Sequence, residues 1–235
     1  MKPFRMILFD LDGTLLPMDQ NAFMKDYFGR LARHLAPHGY EPKALIDAIW
    51  AGTADMVKND GSMLNEARFW NRFSAIFGKD MTDDARLFEQ FYREEFDKVQ
   101  PSCGYTPKAA ETVRAIKGMG YRVALATNPL FPAMATEKRT RWAGLDVSEF
   151  ELYTTYENAS FCKPNPDYYR DVTARLGVSP QDCLMVGNDV EEDMIAESLG
   201  MGVFLLTDCL INKKEQDISR YEKGSFDDLL AYLNQ

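Results

Sequence analysis

The sequence predicts an α/β chain, a doubly wound parallel sheet interrupted by a helical insertion, and three observations predict it. Short apolar runs bounded by turn residues recur along the chain, segments of helical length separate the later runs, and one long interval lacks strands. The first run, Met6 to Phe9, is continuously apolar, the pattern of a strand buried on both faces. From 15 to 100 no run reads as a strand, and aromatic residues fall at helical spacing instead. Phe23, Tyr27, Leu31 and Leu35 make one stripe, Phe69, Phe73, Ile76 and Phe77 a second, and Phe88, Phe91, Tyr92, Phe96 and Val99 a third. Such stripes read as helix-packing core before they read as a cofactor box.

After 100 a strand–helix rhythm resumes. Thr106-Pro107 joins a capping hydroxyl to a first-turn proline and opens a helix over 107–117. The runs 123–126, 152–155, 184–186 and 203–206 read as strands, with helices over 132–143, 166–176 and 190–199 among them. Gly120, Gly177 and Gly200 stand where helices should stop. The expected division is a Rossmann-like core made of 1–14 and 101–235, with 15–100 as the helical insertion.

Composition narrows the function classes. The 235 residues are 46% hydrophobic and 27% charged, enough for a packed core and a solvated surface, which excludes global disorder. Twenty-seven basic residues against 36 acidic ones leave a net charge of -9, which argues against a nucleic-acid or membrane-surface partner. An anionic substrate must therefore be drawn by local positive groups. Cys103, Cys162, Cys183 and Cys209 lie far apart with no metal-site or redox spacing, and read as packing residues in a reducing compartment. No apolar stretch approaches the roughly 18 residues of a membrane helix. The expectation is a soluble, cytoplasmic protein, monomer or homodimer.

Chemistry concentrates where strands end. Asp10-Leu11-Asp12-Gly13-Thr14 directly follows the first strand, and ligands of doubly wound sheets bind outside the carboxyl ends of the strands. Two carboxylates placed there repel each other unless a cation or an acid/base division of labour stabilises the pair. The second strand runs into Thr127-Asn128, a hydroxyl and an amide that also suit an ordinary turn. Lys163 sits in a loop restricted by Pro164 and Pro166. The run at 184–186 enters Gly187-Asn188-Asp189-Val190-Glu191-Glu192-Asp193, whose acids also suit helix capping. Together these groups fit phosphoryl transfer through a carboxylate nucleophile with Mg2+, a lysine and a hydroxyl holding the phosphoryl oxygens.

The ordered set Asp-x-Asp-Gly-Thr, strand plus Thr-Asn, Lys-Pro and Gly-Asn-Asp-x-x-x-Asp resembles the haloacid dehalogenase (HAD) superfamily of phosphatases. The insertion resembles the helical cap domain of its phosphoglycolate-phosphatase and phosphoglucomutase-like branch. The resemblance implies a magnesium-dependent phosphatase that hydrolyses a small phosphorylated metabolite, a phosphate monoester, through an aspartyl-phosphate. It implies Asp10 as nucleophile and metal ligand, and Asp12 as general acid, then base, with its backbone carbonyl on the metal. Thr127 and Asn128 would contact the phosphoryl group, and Lys163 would neutralise that group and Asp10. Asn188 and Asp189 would complete the metal site, with Asp193 orienting the loops. The family usually places an acid directly after the glycine, where this chain has Asn188; the metal acid is then displaced to Asp189, which charge favours, or an amide oxygen replaces it.

Other readings compete. A phosphomutase uses both acids on the same scaffold. A receiver-like signalling module or a non-catalytic phosphate-binding protein forms a different class, which the complete set Asp10, Asp12, Thr127 and Lys163 disfavours. In the insertion, Lys58, Arg68 and Arg72 are available as anion contacts, although each also reads as part of an exposed helix face.

Overall fold

The structure is a computed structural model that describes residues 3–78, 80 and 84–235, so Met1 and Lys2 of the expected core segment lie outside the described residues. Among these, five strands form one parallel sheet: β1 (Met6–Phe9), β2 (Arg122–Leu125), β3 (Cys183–Gly187), β4 (Gly202–Leu206) and β5 (Glu222–Gly224). Their order is β2-β1-β3-β4-β5, which puts the first strand between the second and third. Eight α-helices accompany them: α1 (Gln20–Leu35), α2 (Pro42–Val57), α3 (Asn65–Phe77), α4 (Ala85–Glu94), α5 (Pro107–Gly118), α6 (Ala133–Trp142), α7 (Pro166–Arg175) and α8 (Phe226–Asn234).

The two-residue period of the strands sorts the core into two halves. Ile7 and Phe9 of β1, Leu184 and Val186 of β3, and Phe204 and Leu206 of β4 pack on one face with Val113 and Ile116 of α5 and Leu229 and Leu233 of α8. Met6 and Leu8, Cys183 and Met185, and Val203 and Leu205 face the other way, against Tyr168, Tyr169 and Val172 of α7. Each large apolar side chain so buried is worth about 1.5–3 kcal/mol, so a one-residue slip of β1 would exchange its two faces and lose the fit of both. The register is therefore firm: Phe9 lies opposite Leu125 of β2 and Val186 of β3. Asp10 and Ala126 consequently leave the sheet at one level, beside Gly187, the last residue of β3.

Local chemistry sets the helix starts. Thr106 accepts a hydrogen bond from the Lys108 N–H (3.3 Å) with Pro107 in the first turn, and Asn165 does the same for Asp167 (2.9 Å) ahead of Pro166. Ser225 and Asp228 form a reciprocal capping box that opens α8.

Two sequence expectations are corrected, and two elements come in addition. The run 152–155 is not a strand. It touches β2 through one bridge, Tyr153 to Leu125, after which the Thr154 hydroxyl donates to the Thr127 carbonyl (2.6 Å) instead of extending a ladder. The span 190–199 is not an α-helix but a turn followed by a 3-10 segment, Met194–Leu199. Its acids explain this: Asp189 accepts from the Glu191 and Glu192 N–H groups and Asp193 from that of Asp189, so side chains compete with helical bonding. The polar edge strand β5 and helix α8 were not anticipated, because Glu222-Lys223-Gly224 carries no apolar signal.

Between β1 and α5 the described residues contain helices and no strand. All four residues of the first stripe are buried, as are Phe69, Phe73, Phe88, Phe91, Tyr92, Phe96 and Val99, whereas Ile76 is exposed. Helix α6 of the core is tied to this helical segment through Lys138, whose Nζ donates to Asp97 Oδ2 (2.6 Å) and to the Arg93 carbonyl (2.9 Å).

Candidate active site

Asp10 continues β1 beyond its last ladder residue, its N–H bonded to the Val186 carbonyl of β3 (3.0 Å), so the backbone of the sheet itself fixes where its carboxylate begins. The Lys163 Nζ, from the loop ahead of α7, donates to Asp10 Oδ1 (2.8 Å) and to Asp193 Oδ1 (2.6 Å). All three residues are buried. Burial works against the Lys163 charge, but the Asp10 and Asp193 carboxylates overcome it and hold the ammonium well above the usual lysine range. One cation thus joins two sequence-predicted acids from opposite ends of the motif series.

Asp12 lies two residues on and faces a different partner. Its Oδ2 is paired with the Arg139 guanidinium of α6, while its buried Oδ1 has no hydrogen-bond partner. Burial raises the Asp12 carboxyl above the usual aspartate value, with Arg139 opposing and Asp10 reinforcing the rise. Arg139 is itself fully buried and held by the Ala135 carbonyl (3.3 Å), the Thr136 hydroxyl (3.4 Å) and the face of Phe131, 4.3 Å from its guanidinium carbon.

Close packing joins the loops. Gly13 has φ +86°, and a Cβ there would stand 2.3 Å from Asn188 Nδ2. Gly187 leaves room for the Asp193 carboxylate, which a Cβ would meet at 2.1 Å. Asn188 accepts from the Thr14 hydroxyl (2.9 Å) and donates to the Cys209 carbonyl (2.6 Å), bridging the first and fourth motifs. Asn128 accepts from the Lys163 N–H (3.2 Å) and donates to Glu192 Oε2 (3.0 Å). Thr127 is buried, and its carbonyl receives the Tyr168 (2.9 Å) and Thr154 hydroxyls. All eight residues singled out in the sequence (Asp10, Asp12, Thr127, Asn128, Lys163, Asn188, Asp189 and Asp193) therefore gather at the carboxyl ends of β1, β2 and β3. Lys58, Arg68 and Arg72 do not join them. Lys58 is exposed, Arg68 bonds Asn59, Asp60 and Ser62, and Arg72 pairs with Asp55 (3.8 Å).

The sequence reading passed over Arg139 and Glu192. Arg139 shares a helix face with Ala135 and Ala143, so a cation at an apolar periodic position was the available signal. Glu192 is one acid among several in its loop; burial pushes its carboxyl up to about 7 against the pull of Lys163.

These groups open onto a cavity of about 310 Å3 that reaches from Asp10, Asp12 and Asn188 into the helical segment, among Phe23, Trp50, Phe69, Trp70 and Phe88. Among the described residues no three His, Cys, Asp or Glu side chains form a ready metal cage. Magnesium does not require one, since it keeps several waters and takes one or two carboxylates. Asp10, Asn188 and Asp189 line the same end of the cavity and make an oxygen-rich, acidic donor set that fits such an ion, which leaves the partnerless Asp12 Oδ1 available for a proton.

A parallel sheet with this order, an acid pair directly after β1 and a buried lysine joining Asp10 of that pair to Asp193 belong to a hydrolase of the α/β type. The chain belongs to the haloacid dehalogenase-like hydrolases, whose family model matches residues 4–196. It is similar to the pyrophosphatase PpaX of Bacillus velezensis, 24% identical over 194 residues that cover 83% of this chain and 79% of that protein. Among solved structures it resembles the 2-haloacid dehalogenase of Pseudomonas syringae pv. Tomato DC3000 (TM-score 0.65, 17% identity, 98% of both chains). It also resembles the HAD-hydrolase YfnB of Bacillus subtilis bound to magnesium (TM-score 0.57, 19% identity, 100% of both chains). The structural likenesses show the shared fold. No helix among the described residues is long and apolar enough to cross a membrane.

Proposed function

We propose that the protein is a magnesium-dependent phosphatase that hydrolyses a small-molecule phosphate monoester through an aspartyl-phosphate, with 15–100 acting as a cap over the site. The observation that carries this reading is the buried Lys163 ammonium bridging Asp10 and Asp193, two of the acids that line the floor of the cavity. It balances the nucleophile's charge and sets a buried cation directly behind the carboxylate that the phosphoryl group would approach. A carboxylate oxygen of Asp10 attacks phosphorus while the alcohol oxygen leaves with a proton from Asp12. Water then attacks the phosphorus of the aspartyl-phosphate, gives its proton to Asp12, and the Asp10 oxygen is released. Thr127 stands beside the site as a phosphoryl contact. Asn128 spends both ends of its amide on Lys163 and Glu192, which suits positioning of the lysine loop as well as substrate binding.

Magnesium, held by Asp10, the Asp12 carbonyl and Asn188 or Asp189, would supply positive charge opposite the phosphoryl oxygens. Asp189 commits Oδ1 to two backbone N–H groups and Asn188 its oxygen to the Thr14 hydroxyl, but that contact and the close approach to Gly13 set Asn188 against the first motif. The local geometry thus moves weight from Asp189, which charge favoured, to Asn188. Phosphate release from a chromogenic monoester should require both magnesium and Asp10. Turnover near the wild-type rate in folded Asp10→Asn protein refutes the aspartyl-phosphate.

A further inference from the structure

The walls of the cavity say what kind of alcohol the phosphate is carried on. Beyond the acids at its floor, the helical segment contributes rings rather than charges. Phe28 and Trp50 lie 5.4 Å apart at 57°, while Trp70 meets Phe69 (5.2 Å) and Phe88 (5.3 Å) edge-on at 87°. Tyr27 and Tyr92 also line it, and their hydroxyls bond each other (2.7 Å), so they present ring surface with their polar ends already satisfied. Trp50 is 50% exposed, an unusual exposure for so large an apolar side chain and one placed at the rim.

Charge is distributed the opposite way. Among the described residues lining the cavity, Lys213 is the one lysine or arginine, and it lies two residues beyond Ile211, whose N–H bonds the Asn188 carbonyl (2.8 Å). It therefore belongs to the phosphoryl end. The cations of the helical segment point elsewhere, Arg68 to Asp60 and Arg72 to Asp55. A substrate whose leaving group carried a carboxylate or a second phosphate into the helical segment would bury that charge against rings, with Glu192 and Asp12 nearby and no lysine or arginine among the described residues that line that part of the cavity.

We propose that the physiological substrate is the phosphate monoester of an uncharged, largely apolar alcohol bearing a planar ring system, which the aromatic chamber of the helical segment selects. This deepens the phosphatase reading and rests on it. Leaving-group reactivity is held constant by comparing primary alkyl esters: 2-(1-naphthyl)ethyl phosphate against glycerol 3-phosphate and phosphoglycolate, with pyrophosphate as the doubly charged case. Stacking and burial of one ring system predict a kcat/KM for the naphthyl ester about ten- to a hundredfold above the others. Trp50→Ala, at an exposed position that tolerates truncation, should reduce that preference severalfold, chiefly through KM. Independently of turnover, 2-(1-naphthyl)ethanol should quench tryptophan fluorescence saturably, less so in Trp50→Phe. Equal or better turnover of phosphoglycolate or pyrophosphate overturns the assignment while leaving a phosphatase. Failure of every ester together with saturable quenching by the alcohol upholds the chamber's ligand class and overturns the phosphatase reading. No quenching and an unchanged preference in Trp50→Ala overturn it outright.

Discussion

Replacing Arg139 by methionine removes a buried cation while keeping most of its stem, and leaves the Asp12 carboxylate without its partner. Breaking one side of a buried pair costs about 3–5 kcal/mol where the survivor is fully enclosed. The Asp12 side chain keeps 23% exposure, so water recovers part of its hydration, and a loss of about 2–3 kcal/mol is expected instead. Loss of the contact with the Phe131 face falls within that figure. With a urea slope of roughly 1–3 kcal/mol per molar, the unfolding midpoint should drop by about 1 M at pH 7 in magnesium-free buffer. Asp12→Asn should also destabilise, since it leaves Arg139 buried beside a neutral amide, and the double variant should recover part of the summed loss. Arg139 positions Asp12 rather than touching substrate, so kcat should fall while KM for a monoester changes little. A midpoint equal to wild type, with strict additivity in the double variant, would refute the idea that this pair holds the acid in place.

Three further outcomes are expected. In a magnesium titration of activity, Asn188→Ala should raise the concentration for half-maximal rate more than Asp189→Asn, and the reverse order returns the ligand to Asp189. Asp12→Asn should slow turnover by about a hundred- to ten-thousandfold, and burst kinetics should show the first step spared for leaving groups that need little protonation; an equal loss for good and poor leaving groups removes the acid role. Burial raises the Tyr27 hydroxyl from the ordinary tyrosine value of 10.0 to about 12, so the folded protein keeps a proton that the unfolded chain releases, and stability should fall as pH rises from 10 toward 12. Urea unfolding of Tyr27→Phe across that window should show a shallower decline, by about 1.4 kcal/mol per pH unit at most; an unchanged slope rejects the assignment.

The elements that were legible in the sequence are those whose signal is local. Continuous apolar runs of three or four residues marked β1 and most of β2, β3 and β4, because a strand covered on both faces needs no polar residue. The strand ends supplied the acids, hydroxyl and lysine that the fold gathers, since topology alone brings them together. What stayed hidden depends on partners distant in sequence. Arg139 reads as one of several basic residues on α6 until the fold sets it against Asp12, 127 positions away. The aromatic stripes were recognisable as helix faces, yet only packing decides which rings meet each other and which, such as Trp50, remain at a rim. The span 190–199 misled because its apolar spacing suits a helix while its acids satisfy local backbone donors first.

Lys138 and Arg139 are neighbours on α6, and they grip different bodies of the molecule: one holds Asp97 and the Arg93 carbonyl in the helical segment, the other holds Asp12 at the end of the sheet. Adjacent residues on a helix project about 100° apart, so α6 works as a bell-crank with one arm on each side. Trp142 at the end of α6 adds a second tie to Asp97 and stacks on Phe96, so the same helix carries both the anchor of the helical segment and the partner of the acid. The contact that orders the helical segment and the contact that orders the acid are thereby one peptide unit apart.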